Sequence, residues 1–187
     1  MTAPASTAAP PASGVGPAAL VILGVVAADQ FTKHLAESRL PLHVPREVVG
    51  EAVRFTLTYN PGAAFGMHFG NASRYVFTVL TLVILGFLVR LYRSLPAAER
   101  ALRIAIALVM GGAIGNLLDR FRSAAGVVDF IDVGLRDARF WTFNVADSAV
   151  SVGAVLLVLL LWRYEGRVHA AQHAANAAPD EPRAAHP

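Results

Sequence analysis

Two acids stand where a carboxylate is costly. Asp129 follows Val127 and Val128 and precedes Phe130 and Ile131, an apolar setting, and Asp147 lies a few residues into the last long hydrophobic run. Ionisable groups near or inside an apolar layer are usually paired, turned inward and functional. If these two meet, both cannot ionise cheaply. One pKa rises, and the pair shares a proton that it can give and take in turn. There is no cysteine, hence no disulfide framework, thiolate nucleophile or Cys-based metal site. His169, His173 and His186 are scattered in a patternless tail, so neither a metal nor another cofactor is expected.

The elements that must position the two acids follow from composition. Of 187 residues 55% are hydrophobic and 16% charged, and the mean hydropathy is +0.51. A soluble domain typically carries about 25% charged residues. The Ala, Leu and Val residues are gathered into runs, which makes this an integral membrane protein. A net charge of +3 and a pI near 9.8 do not point to nucleic acid. The basic residues stand singly or in pairs beside hydrophobic runs, as snorkelling side chains do, with no basic stripe.

Residues 1–16 are small and Pro-rich and are expected to be disordered, as are residues 166–187. Between them, 17–165 reads as one four-helix membrane domain, with spans at about 17–36, 75–91, 101–118 and 144–162. The first run, Pro17 to Ala28, resembles a signal peptide in length, but no Lys or Arg precedes it and three more runs follow. Continued to Ala36, it places Asp29 and Lys33 four apart on one helix face. Residues 38–72 form an extramembrane unit. Within it Arg54 to Tyr59 alternates with period two, as a half-buried strand does, before a turn at Asn60-Pro61-Gly62. In the third span Gly111 and Gly115 fit close helix packing, which leaves Asn116 and Arg120, one turn apart, unexplained.

Four spans put both termini on one side and the two long connections on the other. The short connection carries Arg90, Arg93, Arg100 and Arg103 against Glu99, which favours that side as cytoplasmic. Asp29, Lys33, Asn60, Asn116, Arg120, Asp129, Asn144 and Asp147 all fall at the opposite face. One shared polar site at the outer interface accounts for this sorting. Simpler roles remain for some members. Asn144 can be an N-cap with Asp147 in the first helical turn, Asp119 can pair with Arg120 at the interface, and Asp132 is the main rival to Asp129.

The sequence resembles the lipoprotein signal peptidase (signal peptidase II) family. The pieces come in order: Asp29-Gln30 with Lys33; Asn60-Pro61-Gly62-Ala63-Ala64-Phe65; Gly111-Gly112-Ala113-Ile114-Gly115-Asn116 with Asp119-Arg120; Val127-Val128-Asp129-Phe130; and Phe143-Asn144-Val145-Ala146-Asp147. The resemblance covers about residues 20–162. It implies an all-α membrane protein: four transmembrane helices, a small extracytoplasmic β-cradle (about 38–72) and a short extracytoplasmic helix within Ile131 to Phe140. It also implies that Asp129 and Asp147 are the catalytic pair. Asn60, Gly112, Asn116, Arg120 and Asn144 would line or support the site, with Asp29 and Lys33 as a supporting pair.

On this resemblance the chain is a membrane aspartyl endopeptidase of the bacterial inner membrane. It would remove signal peptides from diacylglyceryl-modified prolipoproteins by cleaving before the lipidated cysteine. Its partners would be those precursors and membrane lipids, with no nucleic acid; a monomer is compatible with the sequence, which does not define an oligomeric state. The proton belongs to the acid pair rather than to a named member. A different class, an ion or proton relay or a non-enzymatic scaffold, would use the same polar cluster. A relay, however, places ionisable groups at several depths, whereas these share one face.

Overall fold

The structure, a computed structural model, describes residues 15–62 and 70–177. Residues 1–14 and 178–187 of the expected tails, and Ala63-Ala64-Phe65 of the second motif, lie outside the described residues. Among the described residues four helices are long and apolar enough to cross a membrane. They are α1 (Val15–Arg39), α2 (Ser73–Ser94), α3 (Arg100–Arg122) and α4 (Val145–Ala177). Each exceeds the roughly 20 residues that a hydrocarbon core of about 30 Å requires.

The third helix is the centre of the bundle. Buried residues make up 56% of its apolar window, against 17% or less in the other three, and it packs against all of them. Its small residues permit this. Gly111 and Gly115 face α1, where an added Cβ would lie 2.9 Å from Val25 Cβ and 2.6 Å from Asp29 Oδ2. Gly112 instead lies under the backbone of Ala146 in α4. The close-packing reading of Gly111 and Gly115 therefore holds against α1, and Gly112 allows a like approach to α4. Leu88, Leu95, Leu102, Ile106 and Val109 form an apolar core toward the Arg-rich end. Phe31, Val79, Val83, Phe87, Val155 and Val158 point outward, as side chains facing lipid do.

At the other end sits an open antiparallel sheet of β1 (Arg46–Val49), β2 (Val53–Asn60), β3 (Val127–Leu135) and β4 (Ala138–Arg139), in that spatial order. The alternation seen in Arg54 to Tyr59 is β2, with Leu57 on the buried side. Leu57, Val128 and Phe130 pack with Ala36 of α1, which seats the sheet on the helix ends. In register, Thr58 faces Asp129 and Asn60 faces Val127.

Three expectations are corrected. Residues 131–140 hold no helix: β3 runs on to Leu135 and turns through Arg136 and Asp137 into β4. Val127, Val128, Ile131 and Val133 favour extended backbone. Arg136 takes the left-handed φ of 50° that tight hairpins use, and Arg139 ties back to Asp132 at 2.6 Å. The segment expected to be disordered from 166 instead continues α4 to Ala177. Alanine is the strongest helix former, and Arg167 bonds the Glu99 carboxylate at 2.9 and 3.0 Å. At the other terminus, α1 begins at Val15, inside the stretch assigned to the first tail.

Candidate active site

The polar residues converge where β3 meets the ends of α1 and α3 and the start of α4. Helix α4 opens with a reciprocal cap. Asn144 Oδ1 accepts the Asp147 N–H at 2.9 Å, and Asp147 Oδ2 accepts the Asn144 N–H at 3.2 Å. This is a capping box, with each residue satisfying a backbone donor of the other. The N-cap role of Asn144 is therefore real, but it employs only part of the side chain. Its Nδ2 lies 2.7 Å from Asp129 Oδ1, 3.1 Å from Asn116 Oδ1 and 3.2 Å from the Val128 carbonyl.

Asn116 completes the link. Its Oδ1 accepts from Lys33 Nζ at 2.8 Å, so its Nδ2 is turned to Asp147 Oδ1 at 2.7 Å. The two carboxylates are joined through two asparagine amides, each presenting a donor to one acid. The Asn60 side chain also bonds Asp129 and accepts the Gly62 N–H at 3.0 Å. The carboxyl of Asp129 is pushed up to about 7. Burial is the main cause and the charge of Asp147 the next, opposed by bonds from Asn144 and Asn60 and by the charge of Lys33.

Behind the acids lies a fully buried ionic cluster. Lys33 Nζ reaches Asp29 Oδ2 and Asp119 Oδ2, each at 2.8 Å. With Asn116 these employ all three ammonium donors. Asp29 Oδ1 also accepts the Ala146 N–H at 2.9 Å, which serves another free donor at the start of α4. Arg120 flanks the acids from α3, its guanidinium within electrostatic reach of Asp129, Asp147 and Asp119, and its Nη1 3.4 Å from the Asn116 carbonyl. Gly112 serves by having no side chain, which is what lets Ala146, and so Asp147, approach α3.

All the residues singled out from the sequence thus gather in one place: Asp29, Lys33, Asn60, Gly112, Asn116, Arg120, Asp129, Asn144 and Asp147. Asp132 does not join them. It binds Arg139 at 2.6 Å and Thr56 at 3.1 Å along the sheet. Two further members, Asp119 and Gln30, are not assigned to the site by sequence reasoning. Asp119 does not pair with Arg120, because adjacent residues on a helix diverge. It takes Lys33, Gln30 Nε2 at 3.1 Å and the Val128 N–H at 3.1 Å. Gln30 also reaches Asp29 and the Gly115 carbonyl, each at 3.2 Å. The available signal for Asp119 is its position one turn beyond Asn116. Among the described residues no group of three or more His, Cys, Asp or Glu is placed to hold a metal ion.

Fold and site together define a multi-pass membrane protein with an acid pair, Asp129 buried and Asp147 half-buried, built under a small sheet at one end of the bundle. The family model described as signal peptidase (SPase) II matches residues 21–163. The chain belongs to that family, and is a peptidase. It is 40% identical over 149 residues to the lipoprotein signal peptidase of Streptomyces coelicolor, covering 75% of this chain and 69% of that one. It is 42% identical over 145 residues to the lipoprotein signal peptidase of Syntrophotalea carbinolica, covering 77% and 89%. Two solved structures described as a bacterial membrane enzyme share the fold. One has a TM-score of 0.71 at 29% identity, covering 90% of this chain and 96% of the other; the second has 0.70 at 32%, covering 79% and 93%.

Proposed function

We propose that this peptidase is of the aspartic type, with Asp129 and Asp147 as its catalytic residues, and that it removes signal peptides from lipid-modified prolipoproteins by cutting before the lipidated cysteine. The observation that carries the reading is the amide bridge from Asp129 through Asn144 and Asn116 to Asp147, with the Asp129 carboxyl held near 7. A pair in this state has one proton to donate and one base to accept, which is how two carboxylates in an aspartic protease divide their work. The ionised member takes a proton from water as the water attacks the scissile carbonyl. The protonated member polarises that carbonyl and then protonates the leaving amine. Arg120 and the Asn60 amide are close enough to the acids to steady the developing oxyanion.

The setting suits a substrate held at the membrane surface. Among the described residues the buried charged side chains, Asp29, Lys33, Asp119 and Asp129, lie at the sheet end, which speaks for a surface reaction site and not for a relay across the bilayer. By the positive-inside rule the Arg90, Arg93, Arg100 and Arg103 end is cytoplasmic, which puts both termini there and the site at the outer face of the bacterial inner membrane. In domain terms the peptidase unit runs from α1 through α4.

The test is cleavage of a diacylglyceryl-modified prolipoprotein peptide by detergent-purified protein. Asp129→Asn and Asp147→Asn should each stay folded and lose turnover. Near-wild-type cleavage by either variant would remove that residue from the chemistry.

A further inference from the structure

Asp29, Lys33 and Asp119 stand behind the acid pair, and each carboxylate of this triad holds the backbone just before one of the two acids. Asp29 takes the N–H of Ala146, which precedes Asp147, and Asp119 takes the N–H of Val128, which precedes Asp129. Between them Lys33 directs the Asn116 amide so that its Nδ2 meets Asp147. All three triad side chains are fully buried. A buried ion cluster is a weak stabiliser in itself. Orientation and charge are what this one supplies, since one cation between two carboxylates leaves a net negative charge beside the acids.

We propose that the Asp29–Lys33–Asp119 triad is a positioning site that sets the placement of Asp129 and Asp147 and, through its net charge, the pH at which the pair surrenders its shared proton. This rests on the aspartic reading above and extends it to residues that touch neither substrate nor reacting atoms. The charged groups facing Asp129 are Asp147 from α4, Lys33 from α1 and Arg120 from α3, with Asn144 and Asn60 as neutral donors. Asp29 also acts on Asp147 by its own charge, and Asp29 and Asp119 otherwise act through Lys33 and through the Ala146 and Val128 N–H groups. Asp132 of the same strand is occupied by Arg139, and Glu37 of α1 by Arg122 at 2.9 Å. The charge of Lys33 already holds the Asp129 carboxyl below where burial alone would carry it.

The deciding experiment is the pH–rate profile on the lipidated peptide for wild type, Lys33→Gln, Asp119→Asn and the double variant. Lys33→Gln removes the cation whose charge lowers the Asp129 carboxyl, so the alkaline limb should move up, by at most about one pH unit because Asp29 and Asp119 can then share a proton. Asp119→Asn makes the triad neutral and should move the limb down by a smaller amount, since Asp119 reaches the acids across Lys33 and the Val128 N–H. The double variant restores the wild-type net charge and should bring the limb back. A purely structural brace would lower kcat in all three without opposed shifts, and that result overturns the proposal. Should Lys33→Gln not fold, Asp119→Asn must still shift downward and the double variant must not. Loss of folding in all three leaves only a brace and also overturns it. Unmoved limbs in an enzyme that still requires Asp129 and Asp147 defeat the triad alone, whereas an active Asp129→Asn defeats both readings.

Discussion

Asn144→Ser separates the two duties of Asn144. Serine is about as good an N-cap as asparagine, so its Oγ can keep the bond to the Asp147 N–H and α4 should start where it does now. Serine cannot reach Asp129, however, so the 2.7 Å bond to Oδ1 is lost together with the contacts to Asn116 and Val128. A hydrogen bond to a charged group contributes about 1.5–3 kcal/mol. If that support is needed as charge moves between the acids, turnover falls about 10- to 150-fold. Stability should fall as well, by at least about 0.5–1.5 kcal/mol for the neutral Val128 bond, which is comparable with the loss of a cap. The helix start and kcat, not the melting temperature, therefore separate the two duties. Cleavage kinetics and thermal unfolding of the same detergent-purified sample supply both numbers. Wild-type kcat in a stable Asn144→Ser protein would refute the bridge and leave Asn144 a helix cap.

Asp132→Asn breaks a pair with Arg139 on the sheet, so cleavage should stay within a few-fold of wild type; abolished cleavage would transfer the acid role from Asp129 to Asp132. Gly115→Ala drives a Cβ to 2.6 Å from Asp29 Oδ2 and should lower stability by about 1–3 kcal/mol by overpacking. Gly24→Ala, with nothing within 4 Å, should be neutral or gain up to about 1 kcal/mol. Equal melting temperatures for these two glycine variants would refute the packing account. The Asp129 carboxyl is pushed up to about 7 beside Asp147, whereas an aspartate in the unfolded chain titrates near 4. Folding therefore takes up a proton between those values, and the stability this contributes is present below about 4 and lost as pH rises to about 7. Wild type should accordingly lose stability relative to Asp129→Asn as pH rises from 5 to 8, and a pH-independent gap in denaturation would contradict the burial of Asp129.

Much of this protein is readable along one dimension. Hydrophobic runs of bilayer length define the four spans wherever they occur, because the cost of exposing a backbone to hydrocarbon leaves few alternatives to a helix. The sorting of Asp29, Asn116, Asp129 and Asp147 to one face also follows from counting spans. Residues 131–140 are harder. Their β-branched residues are compatible with either state until β2 offers an edge, and pairing with Val53, Arg54 and Phe55 makes them strand. The Ala-rich end of α4 is hidden for a related reason, since Glu99, the partner of Arg167, lies on a different connection.

What only the tertiary structure decided is who bonds to whom. Asp119 stands next to Arg120 in the chain yet belongs to Lys33, because helix rotation turns adjacent side chains apart and brings α1 against α3. The direction of the Asn116 and Asn144 amides likewise depends on which atoms Lys33 and the start of α4 present to them. Sequence specified which polar groups are too costly to leave unpaired in a membrane. The packing of α1, α3, α4 and β3 chose their partners, since hydrogen bonds are met in space and a linear pattern carries no distances between helices.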